Sequence, residues 1–382
     1  MRHLSLLRPT LCGLALLIVG CSRAPQVAGT ASSTPAPTVA QAPAVPTVPA
    51  WHGRVVELRG SGEQMGAEHG KDLAQPIEYL HDHYLKVYLG GTTQRFLALA
   101  AAKLFESYIR PEHLAEADAL AKQTGMDERE TVLAQCFLDL SPMSACSTIT
   151  LPASASPDHV ARFGRNLEFL SLGVADKYST VFVYHPDEGR YGFVSVGWPG
   201  LIGVLSGMNE HGLALANMEV TRTPRLPGAM PYTLLYRTVL ERCKTVDEAI
   251  DLLQHTPRQT ANNLMLMDAA GDRAVVEIKP DGITVRRARD TDPLISTNHQ
   301  RGTDCDTPGR CWRYDDLHDE GKAEFGHIGL TELEELLHDV SPGKETLQSM
   351  VFEPSNRVIY LSTGANAASK PFYRFDLKTY FK

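Results

Sequence analysis

The sequence predicts an α+β fold in which antiparallel sheets are covered by helices. Between about Gln64 and Leu140, apolar residues recur at the spacing of amphipathic helices, whereas after Ser141 they form short β-type runs separated by turn signals. Strands and helices then follow one another in blocks and not in βαβ alternation. Such blocks are typical of layered antiparallel sheets, not of a parallel doubly wound sheet.

The first block predicts several helices, of which the last covers 127–140. Asp127 stands at its start, and aspartate is a good helix N-cap. The apolar positions that carry the periodicity are Ile77, Leu80, Tyr84, Val87, Leu97, Ala101, Leu104, Tyr108, Val132, Leu133, Cys136, Phe137 and Leu140.

The second block predicts hairpins, because turn sequences such as PDEG at 186–189 and NEHG at 209–212 separate its β-type runs. The predicted strands are 147–151, 161–166, 180–184, 191–196, 201–205, 213–217, 264–268, 274–278, 283–286, 347–352 and 358–361, and the predicted helices are 232–243, 246–255 and 330–338.

Composition places the chain among ordinary globular proteins. It has 382 residues, of which 43% are hydrophobic and 21% charged, which excludes a wholly disordered, collagen-like or disulfide-dense chain. The formal net charge is −8. A chain with this balance is not built to attract phosphate backbones, so we expect no nucleic-acid partner.

The first twenty residues predict export. Residues 1–20 contain two arginines and an apolar run, and Gly20 stands directly before Cys21, which is the pattern of a signal peptide too short to span a bilayer. The ending LIVGC resembles the bacterial lipobox, which implies that Cys21 is diacylated and becomes the mature N-terminus. A plain secretory peptide that is cut elsewhere is the alternative.

Residues 21–50 are expected to form a spacer between the membrane and the folded body. They consist mostly of Ala, Pro, Thr, Val and Ser with one charge, Arg23, and such a segment cannot bury a core. The residue after the lipobox cysteine is Ser22 and not Asp. This favours an outer-membrane location, facing the periplasm, in a Gram-negative cell. Folding proper is expected to begin near Trp51.

Beyond Cys21 the mature chain has five cysteines, an odd number, so at least one is expected to be free. Cys136 and Cys243 lie on apolar helical faces and are interpreted as buried structural thiols. Cys305 and Cys311 stand in a polar loop, and whether they form a disulfide is open. The sequence has no CxxC pair and no HExxH motif, so we expect no metal and no other cofactor.

Cys146 differs from these cysteines in its surroundings. It lies in MSACSTIT, where helical periodicity gives way to β-type periodicity. A thiol needs a base to act as a nucleophile at neutral pH. If the chain were cut between Ala145 and Cys146, the freed α-amine, with an ordinary pKa of about 7.7–8, would be that base. Such an enzyme needs no histidine.

Five motifs carry a family resemblance. They are GEQMGAEHGKDLAQPI at 62–77, ACSTIT at 145–150, FGRNLEF at 163–169, GMNEHGLALAN at 207–217 and STNH at 296–299. In this order they resemble the acyl-CoA:6-aminopenicillanic acid acyltransferase-like family of N-terminal-nucleophile (Ntn) hydrolases, related to choloylglycine hydrolases and acid ceramidase. The resemblance spans about residues 53–364.

The resemblance implies an αββα sandwich and a precursor that cleaves itself to expose Cys146. It implies that Arg165 lies against the nucleophile and stabilises its thiolate. Glu168 occupies the place where the family usually has Asp and would help to orient the α-amine. Asn217 would supply part of the oxyanion hole, and Asn298 would donate to the oxyanion or anchor the amine.

The implied domain organisation follows from this cleavage. A helical pro-region over 51–145 would pack with a catalytic fragment over 146–382 as one fold, and the lipid would stay on the fragment 21–145, held non-covalently. The implied activity is hydrolysis or transfer of the acyl group of a small N-acyl amide through a Cys146 thioester. The substrate, and whether water or an amine accepts the acyl group, stay open.

Two alternatives remain at this point. A papain-like hydrolase would use Cys146 as nucleophile and His299 as base, although the papain signature around the cysteine is absent and 147–151 predicts a strand instead of a helix. A lipoprotein of the same fold that binds an amide without turning it over is the second alternative.

Overall fold

Residues 48–140, 144–187, 189–220, 227–302 and 311–381 are described by a computed structural model. The predicted signal peptide, Cys21 and Cys305 lie outside these ranges, so lipidation stays a prediction and whether Cys305 and Cys311 form a disulfide stays open. Within the described ranges no helix is both long and apolar enough to cross a bilayer.

The N-terminal part is helical, as its periodicity predicts. The first helix is capped by Ser61, whose hydroxyl accepts the Gln64 N–H at 3.3 Å while the Gln64 side chain accepts the Ser61 N–H at 2.8 Å, a capping box. The elements of this part are β1 (Val55–Gly60), α1 (Gly62–Leu80), a π-helical turn (His81–Leu85), α2 (Lys86–Leu89), α3 (Thr92–Phe105), α4 (Pro111–Thr124) and α5 (Glu128–Leu140).

The glycine-bearing segment 62–77 serves packing. A Cβ on Gly66 would lie 2.0 Å from the carbonyl oxygen of Glu116, so only glycine lets α1 approach α4 this closely. Further along α1, Nε2 of the fully buried His69 accepts the N–H of Gly200 at 3.1 Å. This motif therefore ties the helical part to the sheets.

Strands dominate the rest of the chain. In chain order they are β2 (Ser144–Leu151), β3 (Arg162–Phe169), β4 (Thr180–Pro186), β5 (Phe193–Gly197), β6 (Ser206–Asn209), β7 (Ala214–Glu219), β8 (Asn262–Met267), β9 (Arg273–Lys279), β10 (Gly282–Arg286), β11 (Leu294–Ser296), β12 (Thr346–Glu353), β13 (Val358–Thr363) and β14 (Tyr373–Asp376). The helices are α6 (Tyr232–Arg242), α7 (Val246–His255), α8 (Trp312–Ala323) and α9 (Leu330–Asp339).

Two sheets pack face to face between two helical layers. One has eight strands in the order β1-β4-β5-β6-β7-β8-β9-β10, and the other has six in the order β11-β2-β3-β12-β13-β14. The helix α6 lies on the first, where Asn209 Nδ2 donates to the Leu240 carbonyl at 2.9 Å. The helix α9 lies on the second, where a Cβ on Gly164 would lie 3.0 Å from Leu333. The αββα sandwich is confirmed.

The structure corrects the predicted topology in two places. Strand β1 pairs with β4 in parallel, so the larger sheet is not wholly antiparallel. The segment 201–205 is not a strand, because its backbone bonds to helices: the Ile202 N–H donates to Gln135 Oε1 at 2.8 Å and the Val204 N–H to the Thr233 carbonyl at 2.9 Å. Strands β1, β6, β11 and β14 and helix α8 were not predicted.

Candidate active site

Strand β2 places Cys146 between the two sheets. Successive side chains on a strand point to opposite faces. The hydroxyls of Thr148 and Thr150, on the same face as Cys146, donate to Met218 Sδ at 3.5 Å and Met265 Sδ at 3.8 Å in the other sheet. The Cys146 thiol is therefore directed into the sandwich, and the residue is 1% exposed.

The backbone nitrogen of Cys146 is held by Asn298. The Cys146 N–H donates to Asn298 Oδ1 at 2.7 Å, and Asn298 Nδ2 donates to the Glu219 carbonyl at 2.7 Å. Asn298 comes two residues after β11, which pairs with β2, so the sheet fixes its position. A cut before Cys146 would turn this held N–H into an α-amine without moving it.

Arg165 is fully buried on β3, facing the other sheet. Its Nε donates to Ser206 Oγ at 3.2 Å, and its Nη1 donates to the Asn166 carbonyl at 2.8 Å. Burial raises the pKa of the Cys146 thiol above its ordinary value, while the charge and hydrogen bonding of Arg165 oppose this rise without cancelling it. The thiol is therefore protonated at neutral pH and needs a base.

Glu168 lies on the opposite face of β3 from Arg165. Its Oε2 accepts from Arg313 Nη1 at 3.1 Å, and Arg313 Nη2 donates to Asn298 Oδ1 at 3.0 Å. Its Oε1 is buried and has no hydrogen-bond partner among the described residues. Burial raises the pKa of Glu168 to about 8, although Arg313 and Arg165 both act to lower it.

Arg313 was missed by the sequence interpretation. It lies in the first turn of α8, which was not predicted, and it joins two predicted site residues, Glu168 and Asn298, through one guanidinium. No motif around it signals this role, since the bridge depends on how α8 docks onto the six-stranded sheet.

Asn217 lies on β7, and its oxyanion role stays a prediction. Its neighbour Met218 contacts Thr148 of β2, so alternation along β7 directs the Asn217 side chain away from β2. The residue is buried, and its backbone N–H donates to the Leu205 carbonyl at 3.0 Å. This orientation gives the oxyanion role of Asn217 no support. Glu219 of β7 reaches the site through its backbone carbonyl, which accepts from Asn298 Nδ2 at 2.7 Å, and the charge of its side chain also acts to raise the pKa of Cys146.

His299 lies by Cys311. Burial acts to raise the pKa of the Cys311 thiol, but hydrogen bonds with His299 and Thr297 and the charge of Arg313 lower it to about 6. The structure therefore gives the papain-like pairing no support, because this histidine serves another thiol.

No cluster of three or more His, Cys, Asp or Glu side chains suited to a metal ion occurs within the described ranges. The arrangement provides a buried thiol, a held backbone nitrogen, a fixed guanidinium and a carboxyl group with a raised pKa. These groups suit acyl transfer by covalent catalysis.

The two face-to-face sheets between helical layers, with a thiol at the start of an inner strand, define the Ntn-hydrolase fold. The chain belongs to the acyl-coenzyme A:6-aminopenicillanic acid acyl-transferase family, whose model matches residues 162–368. The matched segment begins after Cys146 and includes Arg165, Glu168, Asn298 and Arg313.

Known proteins of similar sequence and structure were also found. Protein dcd1A of Dictyostelium discoideum is 22% identical over 235 residues, which cover 53% of each chain, so the chain spans about half the length of this curated relative. A conjugated bile acid hydrolase from Clostridium perfringens aligns at 15% identity over 61% of this chain and 93% of its own, with a TM-score of 0.45.

Two further solved structures are similar. The N-acylethanolamine-hydrolyzing acid amidase ortholog of Caenorhabditis elegans aligns at 17% identity over 55% of this chain and 93% of its own, with a TM-score of 0.44. A penicillin V acylase from Agrobacterium tumefaciens aligns at 18% identity over 61% of this chain and 86% of its own, with a TM-score of 0.42. The family assignment rests on the family model and not on these similarities.

Proposed function

We propose that this protein is a lipid-anchored, self-processing cysteine Ntn enzyme that hydrolyses or transfers the acyl group of a small N-acyl amide through a Cys146 thioester. The observation that carries the proposal is the hydrogen bond from the Cys146 N–H to Asn298 Oδ1 at 2.7 Å. It holds the nitrogen that becomes the catalytic amine beside a thiol that faces Arg165.

Self-processing begins with the Cys146 thiol attacking the carbonyl carbon of Ala145. The peptide C–N bond breaks, the nitrogen of Cys146 gains a proton, and residue 145 is left in thioester linkage to the sulfur. Water then hydrolyses the thioester, releasing the Ala145 carboxylate and the free thiol. Ala145 is exposed whereas Cys146 is buried, so water has access to the scissile bond at its N-terminal side.

Turnover uses the same thiol. The α-amine of Cys146 takes the thiol proton, and the thiolate attacks the substrate carbonyl beside the positive charge of Arg165. The leaving amine receives the proton when the C–N bond breaks, and a thioester remains. Water or a second amine then attacks the thioester and returns the thiol.

Glu168 and Arg313 act on this amine through Asn298. Arg313 donates to both Asn298 Oδ1 and Glu168 Oε2, so the asparagine oxygen is fixed where it holds the nitrogen of Cys146. We assign Arg313 and Glu168 as positioning residues, and Asn298 as the anchor of the amine.

The test of processing is a denaturing gel of purified protein. Wild type should give two bands, and the N-terminal sequence of the larger should begin CSTIT, whereas Cys146→Ala should give one band and no activity. Cys136→Ala removes another buried thiol and should process normally, which makes it the matched control.

A single uncut band from active wild-type protein contradicts self-processing. If activity then disappears in Cys311→Ala and survives in Cys146→Ala, the nucleophile is Cys311 with His299 as its partner. If neither protein nor variant acts on any amide, the binding-protein alternative stands.

Anchoring is a separate part of the proposal, supported by the lipobox-like LIVGC ending at Cys21. Two or more acyl chains give stable attachment to a bilayer. Metabolic labelling with a fatty acid should mark the fragment that contains Cys21, and Cys21→Ser should abolish the label and release the protein from outer membranes. Fatty-acid label on the fragment that begins at Cys146, or no label on the wild-type protein, would contradict anchoring through Cys21.

The amide class is tested by a screen for released amine. N-acyl amino acids, bile-salt conjugates and penicillins are the first substrates to try, because the similar proteins are described as a conjugated bile acid hydrolase, an N-acylethanolamine amidase and a penicillin V acylase. Processed protein that releases no amine, but transfers acyl groups to an added amine, would be a transferase.

A further inference from the structure

We infer that the acyl group of the substrate is peptide-like, namely an aminoacyl group whose α-nitrogen is itself acylated and carries an N–H. The inference rests on the proposed function, since it names the substrate class of the same site. The group binds where the backbone of Ser144 and Ala145 lies in the uncut chain, at the start of β2. We call this place the acyl site.

Self-processing and turnover pass through the same kind of intermediate. When the Cys146 thiol displaces its own nitrogen from the carbonyl carbon of Ala145, the sulfur carries Ala145 as a thioester and the α-amine is free. An acyl-enzyme formed from substrate has the same thioester and the same free amine, with the acyl group of the substrate in place of Ala145. The first acyl group that this enzyme carries is therefore a peptide, and the place that holds it is the acyl site.

Strand β3 holds Ala145 by main-chain pairing. Strand β2 continues through the bond that is cut, and Ala145 lies opposite Glu168 of β3. In an antiparallel sheet, the N–H and the carbonyl of one residue point to the same neighbouring strand, and successive residues alternate between the two neighbours. The Phe169 N–H donates to the Glu345 carbonyl at 2.9 Å, on the β12 side, so the main-chain groups of Glu168 point to Ala145.

The hydrogen bonds of β2 agree with this assignment. The Cys146 N–H donates to Asn298 Oδ1 at 2.7 Å, and Asn298 follows β11, which flanks β2 on the side away from β3. By the same alternation, the main-chain groups of Ala145 point to β3. The carbonyl of Ala145 therefore accepts the Glu168 N–H, and the Ala145 N–H donates to the Glu168 carbonyl.

Departure of residues 144 and 145 from β3 leaves the main-chain N–H and carbonyl of Glu168 without their partners, and such groups are costly to leave unpaired. An aminoacyl group restores both bonds, because its carbonyl accepts the Glu168 N–H and its α-N–H donates to the Glu168 carbonyl. A plain aliphatic acyl group restores only the first bond. Substrate binding is thus the addition of a short strand to a sheet, in which main-chain hydrogen bonds supply affinity.

The acyl site opens to solvent. Ala145 is exposed whereas Cys146 is buried, so the site begins at the surface and ends at the thiol. The nitrogen of Ala145 is acylated by Ser144, which means that the site receives an amide nitrogen and not an ammonium group. Side chains that are opposite each other in a strand pair lie on the same face, so the side chain of the bound residue lies beside that of Glu168.

The test is a set of amides that share one fluorogenic amine and differ only around the α-nitrogen of the acyl group. The set comprises the acetyl-L-alanyl amide, its ester analogue with oxygen in place of the α-N–H, its N-methyl analogue, and the 2-methylpentanoyl amide of the same length. We expect the acetyl-L-alanyl amide to have the highest kcat/KM. The others should react at least about 10-fold more slowly, because the carbonyl of Glu168 is left without a donor.

Variants of the processing site sharpen this test. Ala145→Gly, Ala145→Ser and Ala145→Val change the acyl group of self-cleavage, whose rate is followed by pulse-chase labelling. Their processing rates, with that of wild type, should rank in the same order as the kcat/KM of wild-type enzyme for the acetyl-glycyl, acetyl-seryl, acetyl-valyl and acetyl-alanyl amides. Ala100→Val changes an exposed alanine of α3 and should process at the wild-type rate.

The outcomes separate the two proposals. Wild-type protein that neither cuts itself nor releases amine overturns the proposed function. Self-cleaved enzyme that turns over the ester, N-methyl or aliphatic analogue within about threefold of the acetyl-L-alanyl amide overturns the aminoacyl assignment alone. A processing order that differs from the turnover order does the same.

Processed enzyme that releases amine from none of the set is tested for binding of acetyl-Met-Ser-Ala, which copies residues 143–145. Equilibrium dialysis compares this peptide with its analogue in which an ester replaces the amide N–H of the alanine. Tighter binding of the peptide supports the acyl site, and equal binding of the two, or binding of neither, overturns it.

Discussion

Two buried charge clusters of this molecule show opposite behaviour. Around Arg237, Nη2 contacts Glu116 Oε2 at 2.7 Å, Nε contacts Glu241 Oε1 at 2.8 Å, and Glu241 Oε2 also contacts His113 Nε2 at 2.9 Å. All four side chains are fully buried. Burial alone would raise the pKa of Glu241, but Arg237 and His113 hold it well below its ordinary value.

In the cluster around Cys146, the nearby positive charges do not offset the effect of burial on the carboxyl group of Glu168. Among the described residues, Arg313 is the cation that contacts Glu168, at 3.1 Å, and that arginine is shared with Asn298. Burial therefore prevails, and the pKa of Glu168 rises to about 8. The difference teaches that burial by itself does not decide the charge: the number and closeness of the cations do.

The two clusters accordingly serve different ends. The Arg237 cluster joins α4, which precedes Cys146, to α6, which follows it. We call this cluster the interlock, because its buried ion pairs would hold together the two fragments that processing creates. The Cys146 cluster contains groups that can change protonation near neutral pH, as catalysis requires.

The largest effect is expected from breaking the interlock. Arg237→Met leaves Glu116 and Glu241 buried without their cation and should lower the free energy of unfolding by about 3–5 kcal/mol. Urea denaturation measures this loss. After processing, the fragments should also separate on gel filtration.

The control is Arg242→Met. Arg242 contacts Glu112 at 3.0 Å but is 41% exposed, so its loss should cost less than about 1 kcal/mol. Equal losses for the two variants would contradict the comparison.

Removal of the amine anchor should cost activity and little stability. Asn298→Ala deletes the oxygen that holds the Cys146 nitrogen, and we expect kcat to fall about 100- to 1000-fold, as for the loss of one preorganised catalytic hydrogen bond. Single-turnover kinetics on processed protein checks this, and the same variant should process more slowly. Asn217→Ala is the matched comparison: a loss as large as that of Asn298→Ala would restore the oxyanion role of Asn217.

The raised pKa of Glu168 predicts a pH dependence of stability. Between about pH 4.5, its ordinary value, and about 8, the unfolded carboxyl group is ionised while the folded one keeps its proton. The folded state binds more protons in this window, so its stability decreases as the pH rises. Urea midpoints should fall between pH 5 and pH 8 in wild type, and this part of the fall should vanish in Glu168→Gln.

The depressed pKa of Glu241 predicts the opposite dependence of stability on pH. Its pKa is depressed in the folded state, so it contributes stability above its ordinary pKa of 4.5 that is lost as the pH decreases below that value.

The Glu168 prediction has its own contradicting outcome. If the urea midpoint of Glu168→Gln fell with pH above pH 5 as steeply as that of wild type, Glu168 would be ionised in the folded protein.

The smallest effect is expected at His299. A general base contributes about 100- to 10,000-fold to rate, so a histidine that does not serve Cys146 should change kcat/KM by much less than that when replaced. His299→Ala should process normally, while the pKa of Cys311, followed by the pH dependence of its alkylation, should rise because a stabilising hydrogen bond is lost. A drop in kcat/KM beyond about 100-fold would revive the papain-like alternative.

Local patterns predicted much of the fold. Most of the strands and helices predicted after Ser141 are present, for example the helix Val246–His255, because hydrophobic periodicity reflects which face of an element is buried. The prediction of a strand at 201–205 was wrong, because an apolar run does not reveal its hydrogen-bond partners, which here are Gln135 and Thr233. Strand β1 pairs in parallel with a strand far along the chain, and no local pattern encodes such a pairing.

For the site, the sequence by itself determined which residue types are available and which cysteine stands at the change of periodicity. It placed Cys146 directly before a predicted strand and, through a family resemblance, named Arg165, Glu168, Asn217 and Asn298. The tertiary structure decided which of these meet. Asn298 reaches the Cys146 nitrogen because β11 pairs with β2, and Arg313 joins Glu168 to Asn298 because α8 packs on that sheet. Periodicity records burial, whereas contact, orientation and the charge of a buried group depend on neighbours that are distant in the chain.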